Sequence, residues 1–510
     1  MFVRRLKNRS GSVSIQLISK AHGRYKVIKT LGTAKDPDEI ERLWLQAQHI
    51  VNTPDSTQGK LFAMQTQADH VAQNTIESLS NTSIRTIGPE LIFGTLFDRI
   101  GFNAIADNMF RHLVIARLAY PLSKLKTADY LYRYQGKVVS VSAIYKFLDR
   151  LNKRYKSQAQ EIAYRHTQTR LKNISVVFYD ITTLYFEAED EDDLRKIGFS
   201  KDGKFQNPQI MLGLLVGEGG LPIGYDIFKG NTFEGHTLLP TLKKIQQKYG
   251  FDEPIVVADA AMLSADNLRK LREANYRFIV GGRIKNENDQ IKTQIIKQAH
   301  GMRNGDNFVL EKENNTRLVI TYSDKRASKD KYNRERGLRL LRQRVKTGRL
   351  SKSAITNRGY NKFLKLEGEL LITIDEEKVK ADSVWDGLKG YITNTNMSAG
   401  EIVENYKHLW QIEKAFRISK TDLKVRPIYH YRQRRIEAHI CIAFVAYAIY
   451  KELENLLVKR GIKMSVNRAG ELTHNMYELH YKLPDSNRNQ MKVLNMSEEQ
   501  QSLYDAIFSG

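Results

Sequence analysis

Apolar positions follow two rhythms along the chain, and the rhythm changes near residue 174. In residues 1–50, the runs Val13–Ile18 and Tyr25–Ile28 flank a turn at His22–Gly23 and predict a small sheet. Pro37, with Asp38, Glu39 and Glu41 behind it, opens a helix whose first turn favours acids. Residues 51–85, rich in Ser, Thr, Gln and Asn, read as a linker. Residues 86–170 read as helical throughout. There Ser140–Tyr145, followed by Leu148, Leu151 and Tyr155, resembles the second half of a helix-turn-helix, and a bundle without DNA contact fits the pattern equally well.

From Ile174 the runs become short and β-rich. Ile174–Tyr179 is a strand ending on Asp180, and Ile255–Ala258 is one ending on Asp259. Between them Ile210–Val216 and Leu221–Ile227 form a hairpin across Glu218–Gly220, and a helix follows near Thr237–Tyr249. Strands alternating with helices behind a leading hairpin predict a mixed α/β sheet, with a first part of the core at 171–283 and a helical second part at 397–460. Residues 284–396 interrupt it as a β-rich, basic insertion. Helices run from Ser398 to about Arg460, and 461–510 form a polar tail. The longest apolar run, Ile440–Tyr450, has 11 residues where a bilayer span needs about 20, so it predicts a buried helix and no membrane partner.

Charge narrows the function. The 81 Lys and Arg outnumber the 57 Asp and Glu, for a formal net charge of +24. A polyanion is the fitting partner, since neutralising phosphates releases condensed counterions. Between Lys325 and Lys365 there are 15 Lys and Arg against only Asp330 and Glu335. Arg334, Arg336, Arg339 and Arg342 are the candidate phosphate contacts there, and Trp385 is a candidate to stack on an unpaired base. A single cysteine, Cys441, excludes an internal disulfide framework and a cysteine-clustered zinc site. With no secretory signal visible behind Met1, the cytoplasm is the expected compartment.

Asp180 and Asp259 are the first candidates for chemistry. A carboxylate at the C-terminal end of a strand projects from the sheet rim, and two on neighbouring strands suit a hard cation such as Mg²⁺. The second feature is a helix with a capping-box start at Ser398–Glu401, along which Tyr406, Glu413 and Lys420 recur every seven residues on one face. Gly198–Lys204 mimics a phosphate loop, but Phe205 stands where a metal-binding hydroxyl belongs, so nucleotide hydrolysis is rejected. Glu187–Asp193 reads as a solvated turn, and His439 as a satisfied core histidine.

Together these motifs resemble the DDE class of insertion-sequence transposases, in the branch with a Tyr-Arg-Glu-Lys signature. Phe178–Thr183 is similar to its first Asp motif, Val256–Ala261 to its second, and Tyr406–Lys420 to the signature helix. Leu409 replaces the usual Arg, with Arg417 or Lys414 as candidate substitutes. Gly230–Glu234 fits the family's hairpin-to-helix connection and is given no catalytic role. The resemblance spans roughly residues 174–450. It implies a ribonuclease-H-like catalytic fold with the β-rich insertion between the second Asp and the Glu, so that the small β/α arm and the helical domain read from the residues precede a mixed-sheet catalytic core. It implies two Mg²⁺ ions, with Mn²⁺ as a substitute, held by Asp180, Asp259 and Glu413, and DNA contacts from Tyr406, Arg417 and Lys420. The implied partners are double-stranded transposon ends and target DNA, met by a homodimer at the nucleoid. The alternatives are another nuclease or integrase on the same fold, and a non-catalytic DNA-binding descendant.

Overall fold

The structure is a computed structural model that describes residues 2–21, 23–52, 72–250, 254–260, 264–347, 350, 352–356, 358–367, 371–482 and 488–509. The chain divides into two compact units, Met1–Ile84 with Leu479–Lys492 and Arg85–Glu478 with Val493–Gly510. In the first, β1 (Phe2–Lys7), β2 (Val13–Ala21) and β3 (Arg24–Ala34) form an antiparallel meander. Alternation along β2 turns Ile15 and Leu17 inward, where Leu43, Trp44 and Ala47 of α1 (Pro37–Asn52) cover them. Most of the expected linker at 51–85 lies outside the described residues.

The second unit is built on an eight-stranded sheet. Three strands form an antiparallel meander: β4 (Val176–Tyr185), β5 (Gln209–Val216) and β6 (Pro222–Lys229). On the other side of β4, β7 (Ile255–Ala258) and then β8 (Arg277–Gly282) add in parallel. The insertion supplies β9 (Asn307–Lys312), β10 (Thr316–Tyr322) and, beyond the small hairpin of β11 (Leu364–Glu367) and β12 (Leu371–Ile374), β13 (Leu388–Thr393). The order across the sheet is β9-β10-β13-β8-β7-β4-β5-β6. The insertion is therefore no separate β-rich body, because three of its strands continue the main sheet. Within its basic run, residues 324–346 form the helix Asp324–Lys346, whose Leu338 and Leu341 are buried over the hairpin strands. Arg, Lys and Leu are good helix formers, and the run has one β-branched residue, Val345.

Each sheet face carries its own core. Val177, Tyr179 and Ile181 face one, and Val176, Phe178 and Leu184 the other. The second core is continuous with the helices Asn108–Ala119, Val141–Arg150 and Lys156–Leu171, and with the buried Ile440–Tyr450 stretch inside the long helix Gln433–Lys459. The helical region expected as a domain of its own thus shares a core with the sheet. Strands this apolar need cover on both faces, and these helices supply it on one.

Candidate active site at the carboxyl edge of the sheet

Asp180 lies within β4 rather than at its end. The strand continues to Tyr185 because its pairing with β5 persists to Tyr185↔Gln209. On the opposite side, the parallel pairing with β7 stops at Tyr179↔Ala258. Asp180 and Asp259 are therefore the first residues beyond the parallel ladder on two adjacent strands. Alternation places them on the same face as Phe178 and Val257, two residues earlier. Asp180 accepts from Ile181 N–H at 2.7 Å, and Asp259 accepts from Ala260 N–H at 2.5 Å.

Burial pushes the Asp180 carboxyl up to about 6. The Lys201 ammonium and the Ile181 N–H oppose that shift, and the charges of Asp259 and Glu234 add to it. Lys201 lies 3.0 Å from Glu234 and 3.9 Å from Asp180, and it donates to the Ile181 carbonyl at 2.7 Å. A single ammonium thus sits between two carboxylates at the rim. Lys201 belongs to the stretch that mimics a phosphate loop, and Glu234 ends the Gly230–Glu234 connection. The sequence reading gave neither a role, because only the fold brings them beside Asp180.

The helix that begins with the Ser398–Glu401 capping box is not continuous. It runs as Ala399–Lys407 and Trp410–Arg417, followed by a wider turn at Ile418–Asp422. At the junction, Leu409 N–H and Gln411 N–H reach back only three residues, to Tyr406 and His408, which tightens the backbone there. Tyr406 is buried. Its ring meets Tyr391 edge-on at 4.9 Å, its hydroxyl donates to Asp259 at 3.5 Å, and Lys389 lies 4.2 Å above it. Burial, reinforced by Asp259, Tyr391 and Glu413, raises the Tyr406 hydroxyl. Gly281 of β8 makes room for that hydroxyl: a Cβ there would lie 2.6 Å from it. Burial lowers the Lys389 ammonium against the pull of Asp259 and Glu413. Glu413 is exposed, and its field reaches both Tyr406 and Lys389, which also feel Asp259. Among the described residues, no group of three acids, histidines or cysteines stands at a spacing that would hold one metal ion.

Leu409, at the position of the signature's Arg, is buried in the core. Lys414 pairs with Glu454 at 2.5 Å, whereas Arg417 is exposed. Lys420 is engaged by Asp202 at 3.2 Å, and the same carboxylate holds Arg426 at 2.5 Å. A cavity of about 850 Å³ opens from Asp259 and Tyr406 past Lys389, Arg326 and Trp385 toward the inserted helix. On that helix the four arginines part ways. Arg336 and Arg339 are exposed, and Arg342 is exposed with Glu376 at 3.1 Å. Arg334 is largely buried and forms a two-pronged pair with Asp386 at 2.5 and 2.6 Å. That pair ties the helix to the end of the insertion, and both side chains line the cavity.

The profile of the family described as "Transposase DDE domain" matches residues 171–449. No curated protein sequence matches the chain. Among solved structures, a piggyBac transposase synaptic complex with hairpin DNA is similar at 9% identity and a TM-score of 0.39, over 76% of this chain and 78% of that one. A Mos1 transposase paired-end complex with left transposon end is similar at 14% identity and a TM-score of 0.16, over 31% of this chain and 53% of that one.

Proposed function

The chain belongs to the transposase DDE domain family, and from that premise we propose that it cleaves DNA at the ends of an insertion sequence and transfers the strands by metal-assisted phosphoryl transfer. The core reads as ribonuclease-H-like. What supports this is an antiparallel meander, β4 to β6, extended on the far side of β4 by two parallel strands, β7 and β8.

One observation carries the reaction: Asp180 and Asp259 step off adjacent parallel strands on the same face, close enough for the charge of one to lift the carboxyl of the other. The donor set fits a hard divalent cation. It is all oxygen, and Lys201 already places a cation between Asp180 and Glu234. Asp180, Asp259 and Glu413 would hold two Mg²⁺ ions, or Mn²⁺ in their place. Bound there, the ions supply Lewis-acid charge to phosphoryl oxygens and activate water or a 3′-hydroxyl. At pH 7, Asp180 is mostly ionised and ready as a ligand. Tyr406, held between Tyr391 and Lys389, presents a fixed hydroxyl at Asp259, and Lys389 adds positive charge at the same edge. Arg417 and Lys420 would contact the DNA backbone, with Lys420 first leaving Asp202. Arg336, Arg339 and Arg342 present a basic face to transposon-end or target duplex, which a homodimer would hold in pairs. No helix among the described residues is long and apolar enough to cross a membrane.

Asp259→Asn tests the assignment. With DNA carrying the element's ends and Mg²⁺, the variant should bind as the native protein does and leave the strands uncut. Native cleavage rates in that variant would remove Asp259 from the site.

A further inference from the structure

Away from the sheet rim, a second charged site has no acid in it. A cavity of about 320 Å³ lies at the start of the helix Lys124–Gln135, against the loop that leads into Gln433–Lys459. Six basic residues line it: Arg117, Lys124, Lys424, Arg426, His430 and His439. The rest of its wall is apolar, aromatic or hydroxylic, and no Asp or Glu takes part.

The burial of four of these groups is what makes the site unusual. Arg117 is 6% exposed and Lys124 7%, and both histidines are buried. Among the described residues, Arg117 donates only to the Leu423 carbonyl, at 3.4 Å. Among the described residues, neither the Lys124 ammonium nor the His430 ring has a hydrogen-bond or ion-pair partner. His439 spends its Nε2 on the Val425 carbonyl at 2.9 Å, and its ring stands 5.3 Å from that of His430. Burial lowers the Lys124 ammonium well below its usual range, with Arg117 adding to the effect, and takes His430 down to about 3. Arg117 is buried with no acid beside it, and an unpaired buried cation costs several kcal/mol, so the cavity wall does not supply its counter-ion. The amino end of a twelve-residue helix adds to the positive potential.

We propose that this cavity is an anion site that takes a phosphate group. The guanidinium of Arg117 offers a flat fork for two oxygens, and Lys124 and His430 offer donors that would regain their protons beside the anion. The volume is about ten times the roughly 30 Å³ that a liquid water occupies, which leaves room for a phosphate with part of what it is attached to. Arg426 joins the cavity to Asp202, the partner of Lys420, so an occupant would lie along the charge network of the signature stripe. A backbone or 5′-terminal phosphate of DNA and free phosphate share this chemistry. Only the DNA source rests on the proposed function. The anion site itself stands whether or not the chain cuts DNA.

The test uses the full chain, with Lys124→Met and His430→Gln as variants. Both remove a buried group whose charged form is disfavoured, so both should fold, and Lys124→Met should melt no lower than the native protein. Titration with inorganic phosphate should show binding that weakens at least about tenfold in Lys124→Met, the loss of one charge-assisted contact. A short duplex with a 5′-phosphate, compared with its 5′-hydroxyl twin, separates the terminal source: a preference that vanishes in both variants identifies it. If instead both duplexes weaken equally in Lys124→Met, with a salt slope shallower by about 0.9, the source is a backbone phosphate. The proposal is overturned if the native protein and both folded variants bind phosphate and both duplexes alike.

Discussion

The carboxyl edge of the sheet and the cavity beside Lys124 are the two places where the chain concentrates like charge, and they handle it in opposite ways. At the edge, each acid has a cation within reach: Lys201 stands between Asp180 and Glu234, and Lys389 feels both Asp259 and Glu413. Around Arg117 and Lys124 the like charges are more deeply buried, yet no acid lines the cavity. The edge brings its own placeholders and can fold stably before any metal arrives. The cavity leaves its charges to be answered from outside or to be lost by deprotonation. Compensation by the chain and compensation by a ligand thus leave different signatures, and each can be perturbed separately.

The largest effect should follow from losing an acid that is proposed to hold the metal. Glu413→Gln should slow single-turnover cleavage by at least about 10²-fold, equivalent to about 2.7 kcal/mol, with little change in DNA affinity. An unchanged rate would confine the site to the two aspartates. Next comes a basic residue with an internal partner. Arg334→Ala strands Asp386 and should cost about 2–4 kcal/mol of stability, read by denaturant unfolding. Arg336→Ala with Arg339→Ala should cost almost nothing there and flatten the salt dependence of DNA binding by about 0.9 in log–log slope per lost contact. If the exposed pair unfolds the protein or leaves the slope unchanged, the division of roles on that helix is mistaken.

A pH experiment sharpens the acid side. The Asp180 carboxyl is raised from 3.8 to about 6, so the folded protein holds this proton more tightly than the unfolded chain. The associated stability is present below pH 4 and lost as pH rises toward 6, leaving a penalty above it. Asp180→Asn should therefore stabilise the metal-free protein by about 1–3 kcal/mol at pH 7.5, with almost no effect at pH 4. A variant equally stable to the native protein at both pH values would show that the carboxylate is already fully compensated. The smallest change concerns positioning: Gly281→Ala pushes on the Tyr406 hydroxyl and should lower cleavage several-fold without altering the melting temperature by more than a few degrees.

Much of this was legible in the sequence. The strand before Asp259, the hairpin of β5 and β6, the Ser398 capping box and the buried stretch in Gln433–Lys459 all follow from local pattern, which needs only neighbours along the chain. The readings that changed depend on neighbours across it. Apolar residues before Asp180 suggested that the strand stopped there, but pairing with β5 carries it on to Tyr185. A seven-residue spacing suggested one helix through Tyr406, Glu413 and Lys420, but the backbone tightens at Leu409 and widens after Arg417. Arg334 and Arg336 look alike in sequence, and only the position of Asp386 separates them. Lys201, Glu234, Lys389 and Gly281 come from four separate segments, and no spacing rule links them before the sheet forms. His439 read as a satisfied core histidine; its Nε2 is bonded to the Val425 carbonyl, but its buried Nδ1 has no hydrogen-bond partner among the described residues. The basic cavity it shares with His430, Arg117 and Lys124 appears only once the helices have packed.

The central claim is that the oxygens of Asp180 hold a catalytic metal, and a change of ligand tests it most directly. Asp180→Cys should bind end-containing DNA normally and fail to cleave it with Mg²⁺, which demands oxygen ligands, while Mn²⁺, which accepts sulfur more readily, should restore cleavage. The native protein should cleave with either ion. Equal cleavage by Asp180→Cys and the native protein in Mg²⁺ would contradict the account, and so would a variant that Mn²⁺ fails to rescue although it folds and binds DNA.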